Sequence, residues 1–436
     1  MAQPTPRRKV AGSALTTPHF MLLFAAMLVA AAGNTALQSV MPAIGRAMRI
    51  DDLYVAIAYT SSAVLWVALA PYWARMSDRH GRKALTLLGV GGFIVSMGLC
   101  GLVLVYGLAG AISGTLTILL FALARAIYGA LGSATPSATQ AYLASRTRRS
   151  ARVSALSALS SSFGLGTIVG PALAPLFVLP LIGLPGPLFA FALIALAVFG
   201  AILLWLPDDS RPRQRRGHGA AMSYPSIASS PTGASVVAST APRIARLKWH
   251  DRRIHNWIIA GVVSGHAQAA VLTCLGFFVI DRLGLAPRGS EQSIAMVMMA
   301  GAAATLAAQW GLIPKLGLSP RALILWGSAI AAVGTVVTAF ATDLYGLVLG
   351  FGVASLGFGF TRPGFTGGAS LAVPLAEQGG VAGVITAANG ISYVAAPTVG
   401  MLLYAIDPHW PFALSAALLV GLLLWGQRAL RPAAVE

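Results

Sequence analysis

The amino-acid sequence predicts an all-α membrane protein, with twelve transmembrane helices in two pseudo-symmetric six-helix bundles. Three observations carry that expectation. The chain of 436 residues is 57% hydrophobic and only 10% charged, with a mean hydropathy of +0.77. A soluble protein carries about a quarter charged residues, so the solvent for most of this chain is lipid. Windows of about 20 residues resolve into twelve apolar stretches, and one long polar segment separates six of them from the other six.

The first stretch, 19–44, follows the basic "PRRKV" and resembles the charged and apolar regions of a signal peptide. Its apolar character continues through Met41 and Ile44, far enough to cross a bilayer, so an uncleaved first helix is expected. The others run over 53–74, 84–106, 115–144, 152–179 and 186–206, then 256–280, 292–313, 320–341, 344–373, 380–405 and 411–430. Tilt absorbs the longer ones. Gly and Pro within them are tolerated because neighbouring helices re-satisfy the backbone. Cys100 and Cys274 fall inside apolar runs without metal-ligand spacing and are expected as small packing residues.

Charge orients the spans. The chain holds 30 Lys and Arg against 12 Asp and Glu, a net charge of +18. With a cytoplasmic N-terminus, 24 of the basic residues fall in cytoplasmic segments, four on the opposite side, and Arg125 and Arg362 inside spans. That asymmetry predicts both termini in the cytoplasm and accounts for the positive charge without nucleic acid as partner. The expected location is the cell inner membrane, multi-pass.

Residues 207–255 are rich in Ser, Pro and Arg and carry no long apolar period. They read as a cytoplasmic linker between an N-terminal bundle, 1–206, and a C-terminal bundle, 256–436. The halves echo each other. "ATPSATQAYLA" (134–144) and "TRPGFTGGASLA" (361–372) occupy spans four and ten, while "GLGTIVGPALAP" (164–175) and "NGISYVAAPTVG" (389–400) occupy spans five and eleven. Internal repeats of this kind are a transporter feature.

Between spans two and three stands Ala74-Arg75-Met76-Ser77-Asp78-Arg79-His80-Gly81-Arg82-Lys83. This resembles the G-x-L-A-D-R-x-G-R-[RK] loop of the major facilitator superfamily, with Ala at the small first position. Two further elements follow in order. Arg125, Gly129 and Gly132 in "RAIYGALGSA" resemble the family's R-x-x-x-G-x-x-G element, and Gly166, Gly170 and Pro171 resemble the G-x-x-x-G-P element of its antiporters. That element's terminal Gly-Gly is Ala174-Pro175 here. Physical chemistry suits these residues. Gly81 tolerates the positive φ of a tight reversal, and Gly166 and Gly170 let helices approach closely. Pro171 bends its helix. Asp78, with Arg79, Arg82 and Lys83 beside it, is placed to hold one conformational state closed.

Ionisable groups within the membrane are functional candidates by default. Here they are Arg125, Arg362 and His266, with no mid-span Asp or Glu. Many proton-coupled exporters of the resembled family carry a carboxylate in span one or four, and the polar residue of span one here is Asn34. The titratable candidates for coupling are then His266, Asp78 and Asp281. His266 has an ordinary pKa in the useful range, with a bundle hydrogen bond as its structural alternative.

Two arginines without a buried acid predict a positive cavity that takes an anionic or zwitterionic substrate. The alternative for Arg125 is bonding to span-one carbonyls, and for Arg362 bonding to the Gly359 carbonyl freed by Pro363. Asn34, Gln38, Tyr59, Trp66, Tyr128, Gln140, Gln268, Gln309, Asn389 and Tyr393 complete the candidate lining.

The resemblance implies a secondary transporter working by alternating access, without cofactor and driven by an ion gradient of protons. Its partners are a small-molecule substrate and the bilayer, with the chain monomeric. Export of an amphipathic organic compound or drug is the leading expectation. An uptake symporter for an organic anion and a non-transporting sensor on the same fold are the alternatives. No G-x-x-x-x-G-K-[ST] loop occurs, which argues against a built-in ATPase. No paired-carboxylate, Ser/His or metal constellation lies within the spans, which argues against an enzyme.

Overall fold

The computed structural model describes residues 17–146, 149–208, 250–373 and 378–430. Twelve helical spans account for nearly all of them. In the first half they are α1 (Thr17–Ala47), α2 (Asp52–His80) and α3 (Arg82–Leu108). The composite α4 follows, built from Gly114–Ile127, a π turn at Tyr128–Gly132 and Ala134–Arg146. Then come α5 (Arg149–Leu173), ending in a 3₁₀ turn Ala174–Phe177, and α6 (Gly186–Trp205). The second half holds α7 (His255–Leu283) and a composite α8, built from Glu291–Leu306, a π turn at Ala307–Leu312 and Ile313–Leu316. It continues with α9 (Pro320–Phe340), α10 (Leu344–Leu371), α11 (Gln378–Ile406) and α12 (Trp410–Ala429).

Eleven of these stretches are long and apolar enough to cross a membrane, and Gly164–Phe177 within α5 is a shorter apolar helix. The fold is that of a multi-pass membrane protein. Most of the expected linker, 209–249, lies outside the described residues, as do the side chains of Asp78 and Arg79.

Local signals set the helix ends. Gly81 alone separates α2 from α3, at φ 94° and ψ 145°, a conformation that suits a residue without Cβ. Asp51 caps α2 by accepting from Leu53 N–H, Ser113 caps α4, Ser319 caps α9 and Asp343 caps α10. Before α7, the Arg253 guanidinium and its backbone N–H donate to Asp251, holding that carboxyl down at about 2.

Packing repeats with an offset of six helices. In the first half α1 packs on α5, α2 on α4 and α3 on α6; in the second, α7 packs on α11, α8 on α10 and α9 on α12. The seam between halves obeys the same operation, because α2 meets α11 where α8 meets α5. The sequence echoes between spans four and ten and between five and eleven therefore fall on equivalent helices.

Glycines allow the closest crossings. A Cβ at Gly166 would meet the Leu28 carbonyl of α1, and one at Gly170 would meet the Ala32 carbonyl and Thr35 Oγ1. Thr35 Oγ1 also donates to the Gly166 carbonyl across this crossing, at 3.2 Å. The Gly-x-x-x-Gly-Pro stretch thus works as a contact face for α1.

Candidate functional site

A cavity opens on the seam between the halves, in two adjoining lobes that share Gln38, Leu272 and Met298 as walls. Each lobe has a volume of about 80 Å³, room for several water molecules.

The first lobe is built around Arg125. Gly129, four residues on, lets α2 come so close that a Cβ there would collide with the Ser62 carbonyl. Ser62 Oγ donates to the Arg125 carbonyl at 3.0 Å across the same crossing. The π turn at Tyr128–Gly132 adds a residue to the helical repeat, and Trp73 Nε1 donates to the Ala130 carbonyl within it at 2.6 Å. Tyr59, Trp66, Arg125 and Tyr128 are thereby gathered into one wall, with Phe277 and Tyr393 from the other half.

Arg125 is 2% exposed, and none of the described residues lining its lobe is an acid that could pair with it. Nη2 donates to Asn34 Oδ1 of α1 at 2.8 Å. The guanidinium carbon lies 5.1 Å from the ring centres of both Tyr59 and Tyr128, and such contacts contribute about 2 kcal/mol each when desolvated. Nε and Nη1 of Arg125, the Tyr59 hydroxyl and Trp66 Nε1 are buried without hydrogen-bond partners. Span one thus meets Arg125 through the Asn34 side chain.

The second lobe is built around Arg362 of α10, with Gln268 of α7, Gln309 and Thr305 of α8, Thr35 of α1 and Thr167 of α5. Gln309 sits in the π turn of α8. Arg362 is 8% exposed and its Nε lacks a partner. The Tyr393 hydroxyl stands beside this guanidinium without a well-aligned hydrogen bond. None of the described residues lining either lobe is acidic. The cavity therefore presents donors and aromatic faces, the complement of an acceptor-rich amphipathic molecule.

Of the residues singled out in the sequence, Gln38, Tyr59, Trp66, Arg125, Tyr128, Gln268, Gln309, Arg362 and Tyr393 line the cavity. Asn34 is buried behind it, on Arg125. Three stand elsewhere. His266 turns its Nδ1 to the Val262 carbonyl of its own helix at 2.8 Å. Gln140 is buried within α4, and Asn389 of α11 is not among the residues lining either lobe.

At the end of the bundle opposite the Arg82–Lys83 loop, a charged cluster ties the halves together. Arg46 Nη2, at the end of α1, contacts Asp52 Oδ2 of α2 at 2.6 Å and Asp281 Oδ2 of α7 at 2.8 Å. The Tyr404 hydroxyl of α11 donates to that same Asp281 oxygen at 2.6 Å. Arg46 also lies over the ring of Phe277, a wall of the first lobe, so the cluster roofs the cavity. Thr60 and Thr398 share a hydrogen bond of 3.2 Å between α2 and α11. At the other end, Lys83 Nζ donates to the Leu203 carbonyl of α6, within the first half. The one sequence signal for the roof was opposite charge at the outer ends of spans one and seven.

Comparison with known proteins gives these features a context. The profile of the Major Facilitator Superfamily matches residues 23–317. "Multidrug resistance protein 2" of Bacillus subtilis is 24% identical over 419 residues, covering 94% of this chain and 95% of its own length. Among solved structures, the nucleoside transporter NupG superposes with a TM-score of 0.68 at 11% identity, covering 95% of this chain and all of its own. The human organic anion transporter TETRAN superposes with a TM-score of 0.62 at 17% identity, covering 94% of this chain and 99% of its own.

Proposed function

From the premise that the chain belongs to the Major Facilitator Superfamily, we propose that it is a proton-coupled exporter of small amphipathic organic compounds carrying an anionic part. It works by alternating access of the two halves to the central cavity, in a cell inner membrane, with both termini and the Arg82–Lys83 loop cytoplasmic.

The observation that supports this reading is the cavity itself. It stands on the seam between two pseudo-symmetric halves, where rigid-body rocking exposes it to one side and then the other. It holds Arg125 and Arg362 with aromatic and amide neighbours and no acidic lining. A buried cation without a counter-ion gains most from a ligand that brings one. The multidrug-resistance name of a relative aligned along most of this chain, and the antiporter-like Gly166, Gly170 and Pro171 in α5, favour export. The organic-anion name of a structural neighbour agrees with the charge of the cavity.

The test is transport in oriented membrane vesicles under an imposed pH gradient. Export by antiport predicts accumulation of an amphipathic anion in inside-out vesicles acidified within, collapsing when the gradient is dissipated. Accumulation confined to right-side-out vesicles that are acidic outside supports the uptake symporter instead. No flux of any tested compound in either orientation supports a sensor.

A further inference from the structure

We propose that the preferred substrate is a dianion, two carboxylates joined by an apolar connector, bound across the seam with one carboxylate on Arg125 and the other on Arg362. Asn34 is the residue that makes this selectivity possible. The inference rests on the transporter reading above and adds to it a charge count, a shape and a specificity-determining side chain.

The charge count follows from the lining. Arg125 on α4 and Arg362 on α10, the equivalent helices of the two halves, line two adjoining lobes. Each lobe contains one positive charge and no acid. Both arginines keep buried nitrogens without partners: Nε and Nη1 on Arg125, Nε on Arg362. A buried donor left unsatisfied is costly, and a charge-assisted bond satisfies it best. A monoanion answers one lobe and leaves the other cation uncompensated, whereas a dianion answers both.

The shape follows from what lies between. Gln38, Leu272 and Met298 line both lobes and so stand between them. Phe277, Tyr59 and Trp66 flank the first lobe, and Phe351 and Phe358 the second. The connector therefore meets aliphatic and aromatic faces, and each end meets donors. Each lobe is small, about 80 Å³, so a ligand that reaches both arginines passes between these shared residues. Because it draws Arg125 of one half towards Arg362 of the other, its binding also favours closure of the halves upon it.

Asn34 accounts for why Arg125 is available. Its Oδ1 takes one bond from Nη2 and supplies no charge. An aspartate of the same shape at this place would give Arg125 an internal counter-ion and compete with any ligand carboxylate.

The experiment uses the purified full-length protein in nanodiscs and reads ligand-induced thermal stabilisation as a function of concentration. The probes are suberate, its monomethyl half-ester, terephthalate, benzoate and tetraphenylphosphonium. The expected result is half-maximal stabilisation by each diacid at a concentration at least tenfold below that of its monoanionic counterpart. Arg362→Gln brings the diacid to the half-ester's level. Asn34→Asp weakens the diacids at least tenfold, while its ligand-free melting transition reports whether the variant is folded.

If the half-ester matches the diacid, if the cation alone stabilises, or if no probe stabilises the wild type, the proposal is overturned. Diacid binding that survives Asn34→Asp overturns the role of Asn34. Stabilisation by the cation alone would also remove the anionic part from the proposed substrate, whereas transport by alternating access is decided separately by the vesicle flux.

Discussion

Asp281→Asn is expected to loosen the roof over the cavity. The substitution keeps the shape of the side chain and removes its charge. What is lost is one ion pair to Arg46 at 2.8 Å, between side chains about a third exposed, and the charge on the acceptor of the 2.6 Å bond from Tyr404. A partly exposed pair contributes about 0.2–1 kcal/mol; the bond from Tyr404 lies within the second half and does not bear on the opening between halves. The closed arrangement thus loses about 0.2–1 kcal/mol, or about 1.4- to 5-fold in its ratio to the arrangement open on this side. The assay is the labelling rate of a cysteine in place of Thr273, which lines the first lobe beneath the roof. Cys100 and Cys274, both buried, are first replaced by serine. An impermeant thiol reagent added outside intact cells should label the Asp281→Asn protein about 1.4- to 5-fold faster, and the gain should vanish in an Arg46→Gln background, where the pair is already broken. An unchanged rate, or equal gains in both backgrounds, refutes the latch. A gain seen only from the cytoplasmic face refutes the orientation.

Three further outcomes follow from packing. Gly170→Leu forces a side chain onto the Ala32 backbone and Thr35 of α1 and should destabilise by about 1–3 kcal/mol, read as a lowered thermal midpoint. Gly98→Ala, with nothing within 4 Å of the added carbon, is the silent control. Gly81→Ala places a Cβ on a residue at φ 94° between α2 and α3, a strain of about 1–3 kcal/mol; a midpoint equal to wild type would contradict the turn geometry. Tyr59→Phe keeps the ring face over Arg125 and removes a hydroxyl without a partner, so stability should hold. Tyr59→Leu removes the face and should cost about 1–2 kcal/mol, and a loss of equal size in Tyr59→Phe would show that the hydroxyl, not the ring, holds the arginine.

The sequence by itself determined the features that depend on local solvent preference. A lipid-facing or lipid-buried helix must be apolar along its whole length, so each span is legible from composition alone; α1, α6 and α12 begin and end within a few residues of the apolar runs that announce them. Gly81 was legible for a similar reason, because a one-residue reversal leaves few other choices. The two membrane arginines also announce themselves, since a charge in an apolar run is rare.

Only the tertiary structure decided what those arginines face. Asn34 reaches Arg125 across 91 residues of sequence, and Arg46 reaches Asp281 across 235; no local pattern records such a pairing. The π turns at Tyr128–Gly132 and Ala307–Leu312 change which residues share a wall, so helical periodicity misplaces the side chains beyond them. His266 shows the same limit from the other side. Its position in an apolar span makes it a candidate proton carrier, and that its Nδ1 is held by the Val262 carbonyl of its own helix is settled by its rotamer and the neighbours around it. Insertion energy is paid residue by residue along the chain, whereas a binding site exists only where the two halves meet.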